Sequence, residues 1–220
     1  MKWCSFVLIP LFLILIPKNL VASDRLPEDR IVDSLLNVYS ANKMYDSAML
    51  YPILMAIQHY PELQNTAIEF RRGNIPTLMA ARPRLSTLFR KKDKREYLVI
   101  ISTNPVNKSK QIFRNMSLSA KTGILGHEFA HVLCYEQLSS FQIVLFGIRY
   151  LFGKRKIEHE TDRVAIERGL GEELLNYTMH IKHSKLTCKK YRKRKRKYYL
   201  SVSEIQQVVD AHSPAPIRNN

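Results

Sequence analysis

Apolar positions in this chain switch between two periods, and the switching predicts helices around a small group of strands. Across residues 28–43, Ile31, Leu35 and Val38 recur at helical spacing. A second apolar segment, 51–60, also suits a helix, because Pro52 stands in its first turn, where a missing N–H costs nothing. Short extended pieces follow at 67–70, at 77–81 (closed by Arg82-Pro83) and at 97–102. The last of these, Tyr-Leu-Val-Ile-Ile-Ser, has the β-branched content of a strand. A basic linker at 90–95 precedes it and a polar loop at 103–119 follows.

Helical signals resume near Thr122 with Gly-Ile-Leu-Gly-His-Glu-Phe-Ala-His-Val-Leu-Cys over 123–134, apolar on every side of its polar core. The aromatic stretch 141–152 comes next, interrupted by Gly147 and Arg149. It is too short for the roughly 20 residues of a bilayer span. It reads as a core helix or buried connection, or else as a membrane contact. A helical pattern returns over 157–169, punctuated by Gly169 and Gly171. Ser201-Val-Ser-Glu204 then has the form of a capping box ahead of Ile205, Val208 and Val209. The expected fold class is therefore α+β, a single domain with a small sheet.

Length agrees: 220 residues, 45% apolar and 25% charged, suit one domain with a real core. The first 23 residues read differently. Lys2, an apolar stretch from 4 to 16 and small residues at 22–23 form an export signal, leaving a domain over 24–220 that is periplasmic or secreted. Retention of that segment would instead tether the domain to a membrane. Cleavage removes Lys2 and Lys18 and no acid, lowering the formal charge from +16 to +14. It also removes Cys4, so only Cys134 and Cys188 could pair; Cys134, two helical turns after His127, alternatively fills space beneath the residues of that helix.

Chemistry concentrates at His127-Glu128-Phe129-Ala130-His131. Histidines four apart on a helix project from one face and can share a Zn2+ ion, while the intervening glutamate reaches the water such an ion activates. A hydrolytic zinc needs a third protein ligand and one open position. Glu158 and Glu160 are the candidates, and at ~100° per residue they lie on different faces of one helix. The Glu158 face continues through Asp162, Ala165 and Gly169, a second carboxylate and then small residues that permit close packing. The Glu160 face continues through Arg163, Val164 and Glu167 and reads as solvated. Glu158 is thus the expected ligand, with Asp162 accepting a histidine N–H behind it.

The Gly126-His-Glu-Phe-Ala-His131 helix followed by Glu158-x-x-Thr-Asp162 resembles the gluzincin metallopeptidases. The carboxylate spacing is similar to that of the CAAX prenyl protease and heat-shock protease families, although a chain without spanning helices in its mature part looks more like the small soluble minigluzincins. The resemblance covers about residues 122–171. It implies a zincin-like fold in which the strand at 97–102 is the edge strand beside the metal. It also implies a zinc peptidase acting on peptide or protein substrates, with His127, His131 and Glu158 on the metal and Glu128 as general base. An oxyanion helper is expected from a separate element, with Tyr177, His180 and His183 available.

The basic segment 185–197 adds a rival reading. Its run 189–197, opened by Lys189 and closed by Lys197, could contact an anionic surface, with Tyr191, Tyr198 and Tyr199 adding stacking potential. Alternatively it is a solvated loop between helices. The rival function is a zinc-containing, non-hydrolytic polyanion- or surface-binding protein. Nucleic acid is not the expected partner, because an exported chain has little access to it. Sequons begin at Asn107, Asn115 and Asn176. Export carries its own test, because Trp3 is the single tryptophan and all 11 tyrosines follow Asp24. Exported protein should give tyrosine-like emission only, and an intact mass placing its N-terminus at Ser23 or Asp24; persistent indole emission means the segment is retained.

Overall fold

The computed structural model describes residues 27–45, 47–106 and 108–212, which leaves the expected leader and the Asn107 sequon outside the described residues. Four strands, β1 (Lys43–Met44), β2 (Ala67–Gly73), β3 (Met79–Pro83) and β4 (Glu96–Ser102), form a mixed sheet in the order β1-β2-β4-β3. The β1–β2 and β2–β4 pairs are parallel and β3–β4 is antiparallel. β4 thus inserts between its two predecessors. This corrects the expectation that 97–102 is the edge strand: the edge beside the helix that carries His127 and His131 is β3. The physical reason lies in β4 itself, whose residues from Tyr97 to Ser102 are all buried, as an interior strand with both faces covered requires.

Helices α1 (Pro27–Tyr39) and α2 (Leu50–Ile57) flank β1 and precede β2. Next come α3 (Ser109–Arg114), a short helix inside the expected polar loop, and α4 (Leu118–Gln137). α5 (Ser140–Ala165) passes through a π-helical turn (Ile166–Leu170) into α6 (Gly171–His183), and α7 (Lys189–Tyr198) and α8 (Val202–His212) complete the fold. This is an α+β single domain.

α4 is the centre of the packing. Ser117 caps it by accepting from the Ala120 N–H at 3.1 Å. From Thr122 to Leu133 every residue is buried, so the helix needs cover on all sides. Phe129 meets Tyr60 and Phe70 edge-on, with ring centres 5.9 and 6.0 Å away, which docks α4 between the end of α2 and strand β2. The Tyr60 hydroxyl donates to the Gly126 carbonyl at 2.7 Å. On the other side α6 approaches so closely that a Cβ at Gly123 would lie 2.1 Å from the Glu173 carbonyl oxygen.

The corner between α4 and α5 is tied to the linker before β4. Arg95 is buried and donates to the Leu138 carbonyl at 2.7 Å and to Ser140 Oγ at 3.1 Å. Ser139 and Gln142 form a reciprocal capping box at the start of α5, and Ser201 and Glu204 form the expected one before α8.

Two further expectations change. The 141–152 stretch is helical, but its outer face is not a buried core. The basic run is not a loop: it is helix α7, because Tyr191 and Lys195, four apart, turn inward and are buried. Cys134 and Cys188 are not joined in a disulfide. Among the described residues, no helix is long and apolar enough to cross a membrane.

The α4–α6 approach is testable by adding one methyl group. Gly123→Ala should cost about 1–3 kcal/mol, because backbone must move to admit it, and should lower the thermal midpoint by several degrees in a circular-dichroism melt. Gly147→Ala, where a Cβ meets nothing within 4 Å, should leave the midpoint unchanged or raise it slightly through helix propensity.

Candidate metal centre

Consecutive turns of α4 carry His127 and His131, whose rings stand 4.9 Å apart at 85°. α5 crosses them and presents Glu158, 1% exposed. Its Oε2 lies 3.1 Å from His127 Nε2 and 3.4 Å from His131 Nε2. Among the described residues these three buried side chains form the group able to hold a metal ion, with one donor atom from each and all donors within 4.8 Å of one another. A cation held by bonds of about 2.0–2.1 Å in a tetrahedron has donor–donor edges of about 3.3 Å. The two carboxylate–imidazole distances match that edge, and the third donor pair lies within 4.8 Å.

Each donor is oriented from behind. His127 Nδ1–H donates to Asp162 Oδ1 at 2.7 Å, and Asp162 Oδ2 accepts the Leu200 backbone N–H at 3.0 Å. His131 Nδ1 faces Thr161 Oγ1 at 3.4 Å, and that hydroxyl donates to the Ile157 carbonyl at 2.9 Å. With both Nδ1 atoms engaged on α5, both Nε2 atoms are left facing the centre. Glu158 Oε1 accepts from the Tyr150 hydroxyl, Lys154 Nζ donates to that hydroxyl at 2.6 Å, and the same ammonium stands 3.3 Å from Oε1. One carboxylate oxygen is therefore held by protein, and the other is presented to the imidazoles.

Electrostatics follow from burial plus proximity. Burial opposes a charge on His127, but the Asp162 and Glu158 carboxylates outweigh it and raise the imidazole to about 10. Burial likewise opposes ionisation of Glu158, yet hydrogen bonds from both imidazoles hold its carboxyl far below the usual range. For Asp162 burial is overcome by the Lys195 ammonium, by His127 and by the Leu200 N–H, and the net direction is down. Glu128 goes the other way: burial raises it, and the histidines and the Ala81 N–H offset only part of the rise. A proton on His127 and a metal compete for Nε2, so metal affinity weakens as pH falls.

Glu128 projects from α4 toward the sheet, where its Oε2 accepts the Ala81 backbone N–H at 2.6 Å. That N–H is available because of register. Arg84 donates to Glu96 and Ser102 to Leu78, so the even-numbered residues of β3 bond to β4, while Met79, Ala81 and Pro83 turn their backbone groups outward. A mainly apolar cleft of about 540 Å³ opens here. β3 forms one wall, the first half of α5 the other, and His127, Glu128, His131 and Glu158 lie at its base.

The structure thus brings His127, Glu128, His131, Glu158 and Asp162 together, with Glu160, Arg163 and Glu167 exposed on the far side of their helix. It does not bring Tyr177, His180 or His183 to the cleft. Tyr177 is buried with its hydroxyl 3.4 Å from that of Tyr191, and His183 is exposed. The polar groups that do line the cleft include Tyr150, Lys154, Arg194 and Tyr199. Tyr150 and Lys154 were legible in principle, standing two turns and one turn before Glu158 on the same helix. Lys195, Tyr199 and Leu200 had no such signal.

No protein-family model matches the chain, and no match is found among curated proteins or solved structures. The geometry of the centre yields a direct test by metal titration and elemental analysis. Glu158→Ala should lose the ion while Glu160→Ala keeps it. Asp162→Asn should weaken affinity by roughly 10–100-fold, the usual range for a group that orients a ligand. Equal loss from both glutamate variants would mean that the crossing of α5 over α4 does not create the site.

Proposed function

We propose that this protein is a zinc-dependent metallopeptidase of the gluzincin type. The observation that carries the reading is the buried His127–His131–Glu158 group, with donor spacing suited to a tetrahedral ion, beside a glutamate tied to an open sheet edge. Two imidazoles and one carboxylate are a zinc donor set, neither all-oxygen as for calcium or magnesium nor thiolate-rich. Bound zinc supplies a Lewis acid for a carbonyl oxygen and for water.

The chain's own residues supply the rest. Glu128 takes a proton from the attacking water at its carboxylate and passes it to the leaving amine; a carboxyl raised by burial is better matched to both transfers than an ordinary surface acid. The outward carbonyls of Met79, Ala81 and Pro83 offer an extended substrate backbone a strand to pair with. Pro83 has no N–H, so pairing weakens at that end of the strand. Tyr199, its ring centre 5.5 Å from that of His127, lines the cleft as a donor toward an oxygen that gains charge. The apolar walls from α5 and β3 exclude water from the reacting bond.

Glu128→Gln separates this reading from a zinc-containing binding protein. The variant should keep its zinc and its melting curve but lose about 10²–10⁴-fold in turnover of a quenched-fluorescence peptide library. A wild-type chain that holds zinc and cleaves nothing in the library, or a variant with unchanged turnover, overturns the proposal.

A further inference from the structure

The first half of α5 has two faces, and the inner one forms the wall of the cleft. Ile143, Phe146 and Tyr150 turn inward, whereas Phe141, Val144, Leu145, Ile148, Leu151 and Phe152 are all exposed. At ~100° per residue these six fall within an arc of about 120° directly opposite the inward face. Leu151 and Phe152 are 76% and 89% exposed, values that an ordinary solvated helix face reserves for charged side chains. The patch extends onto the 3₁₀ turn beside it. Ser140 Oγ donates to the Leu88 carbonyl at 2.7 Å, bringing the turn's exposed Leu85 and Phe89 against the start of α5.

Along this part of α5 the charge has one sign. Between residues 140 and 157 there are four basic residues and no acid, and Arg149, Arg155 and Lys156 are exposed. Arg90, Lys91 and Lys92 follow Phe89, also exposed, and outnumber the neighbouring acids Asp93 and Glu96, the latter 3.8 Å from Arg90. A second copy of the chain seated here would bring like charges together; a partner with diffuse negative charge over an apolar interior would neutralise the rim and receive the arc. A helix that is apolar on one side, cationic at its flanks and too short to span is the form that lies in a bilayer interface.

We infer that α5 and the turn 85–89 dock the domain on an anionic phospholipid surface, the helix lying in the headgroup plane with Phe141, Leu145, Ile148, Leu151 and Phe152 directed into the acyl boundary. From Ser140 to Phe152 the helix is about 20 Å long, at 1.5 Å per residue. The backbone at Gly153, with φ −111° and ψ 22°, leaves helical geometry just where the apolar arm ends and the ligand-bearing half begins. Leu85 and Val144 belong to this face and also line the cleft, so docking sets the cleft's mouth at the lipid surface. The inference does not depend on hydrolysis.

The experiment uses the full chain with Trp3→Phe and Phe152→Trp, so that one indole reports the arm. Vesicles of phosphatidylcholine alone are compared with vesicles containing about one-third phosphatidylglycerol, both at about 0.15 M salt, with bromine-labelled acyl chains as quencher. The indole should shift to shorter wavelength and be quenched on the anionic vesicles, and Leu145→Ser with Leu151→Ser should raise the lipid needed for half-maximal shift at least about tenfold. A companion Met179→Trp on α6 should stay water-exposed. The inference is overturned if the Phe152→Trp indole stays water-exposed while the protein sediments with vesicles, which assigns binding to the N-terminal segment or to α7. It is equally overturned if the blue shift appears without lipid and grows with protein concentration, which assigns the face to a second copy.

Discussion

Everything in this structure is organised around a carboxylate that cannot be buried without partners. Glu158 has essentially no exposure, and its two oxygens are shared between the α4 histidines on one side and Tyr150 with Lys154 on the other. An ionised carboxylate in such a place is tolerable only when every oxygen is compensated; removing one partner of a buried ion pair typically costs about 3–5 kcal/mol. The docking of α5 across α4 is therefore inseparable from the assembly of the site. Asp162 repeats the arrangement one turn later and links His127 to the backbone at Leu200, so the C-terminal segment is locked to the same constellation.

Close approach makes this crossing possible. α4 is covered by the sheet, by the region around Tyr60 and by α6, and Gly123 and Gly126 remove the side chains that would hold those neighbours away. Such a helix has no polar face to give to solvent, so His127, Glu128 and His131 must find partners inside the protein. The histidines find them on α5, and Glu128 finds the Ala81 N–H on the edge of the sheet. Site and scaffold are one hydrogen-bonded unit.

α5 also joins two environments. Beyond Gly153 it carries the buried acids; before it, a cleft wall backed by an apolar, cationic outer face. The chain's excess positive charge is likewise divided. Lys195 of the basic helix is buried, its ammonium 3.8 and 4.5 Å above the rings of Tyr199 and Tyr177 and facing the Asp162 carboxylate, while Lys189, Lys190 and Lys193 point outward. One charge in that run thus helps balance the acids of the candidate metal centre.

Local pattern alone determined the α+β class, most helices and strands, the pairing of histidines four apart and, through a 100° helical wheel, which glutamate turns inward with Asp162. These depend on backbone periodicity, which neighbouring residues express directly. Which strand forms the edge, that Ala81 binds Glu128, that Tyr150 and Lys154 hold the second oxygen of Glu158, and that Tyr199 rather than Tyr177, His180 or His183 reaches the cleft were decided only by tertiary structure. Strand order depends on where β4 inserts between β2 and β3. The partners of a buried charge depend on which elements cross above it. The exposed face of α5 follows the same logic: its apolar residues could have been core, and only the absence of a packed neighbour on that side among the described residues leaves them at the surface.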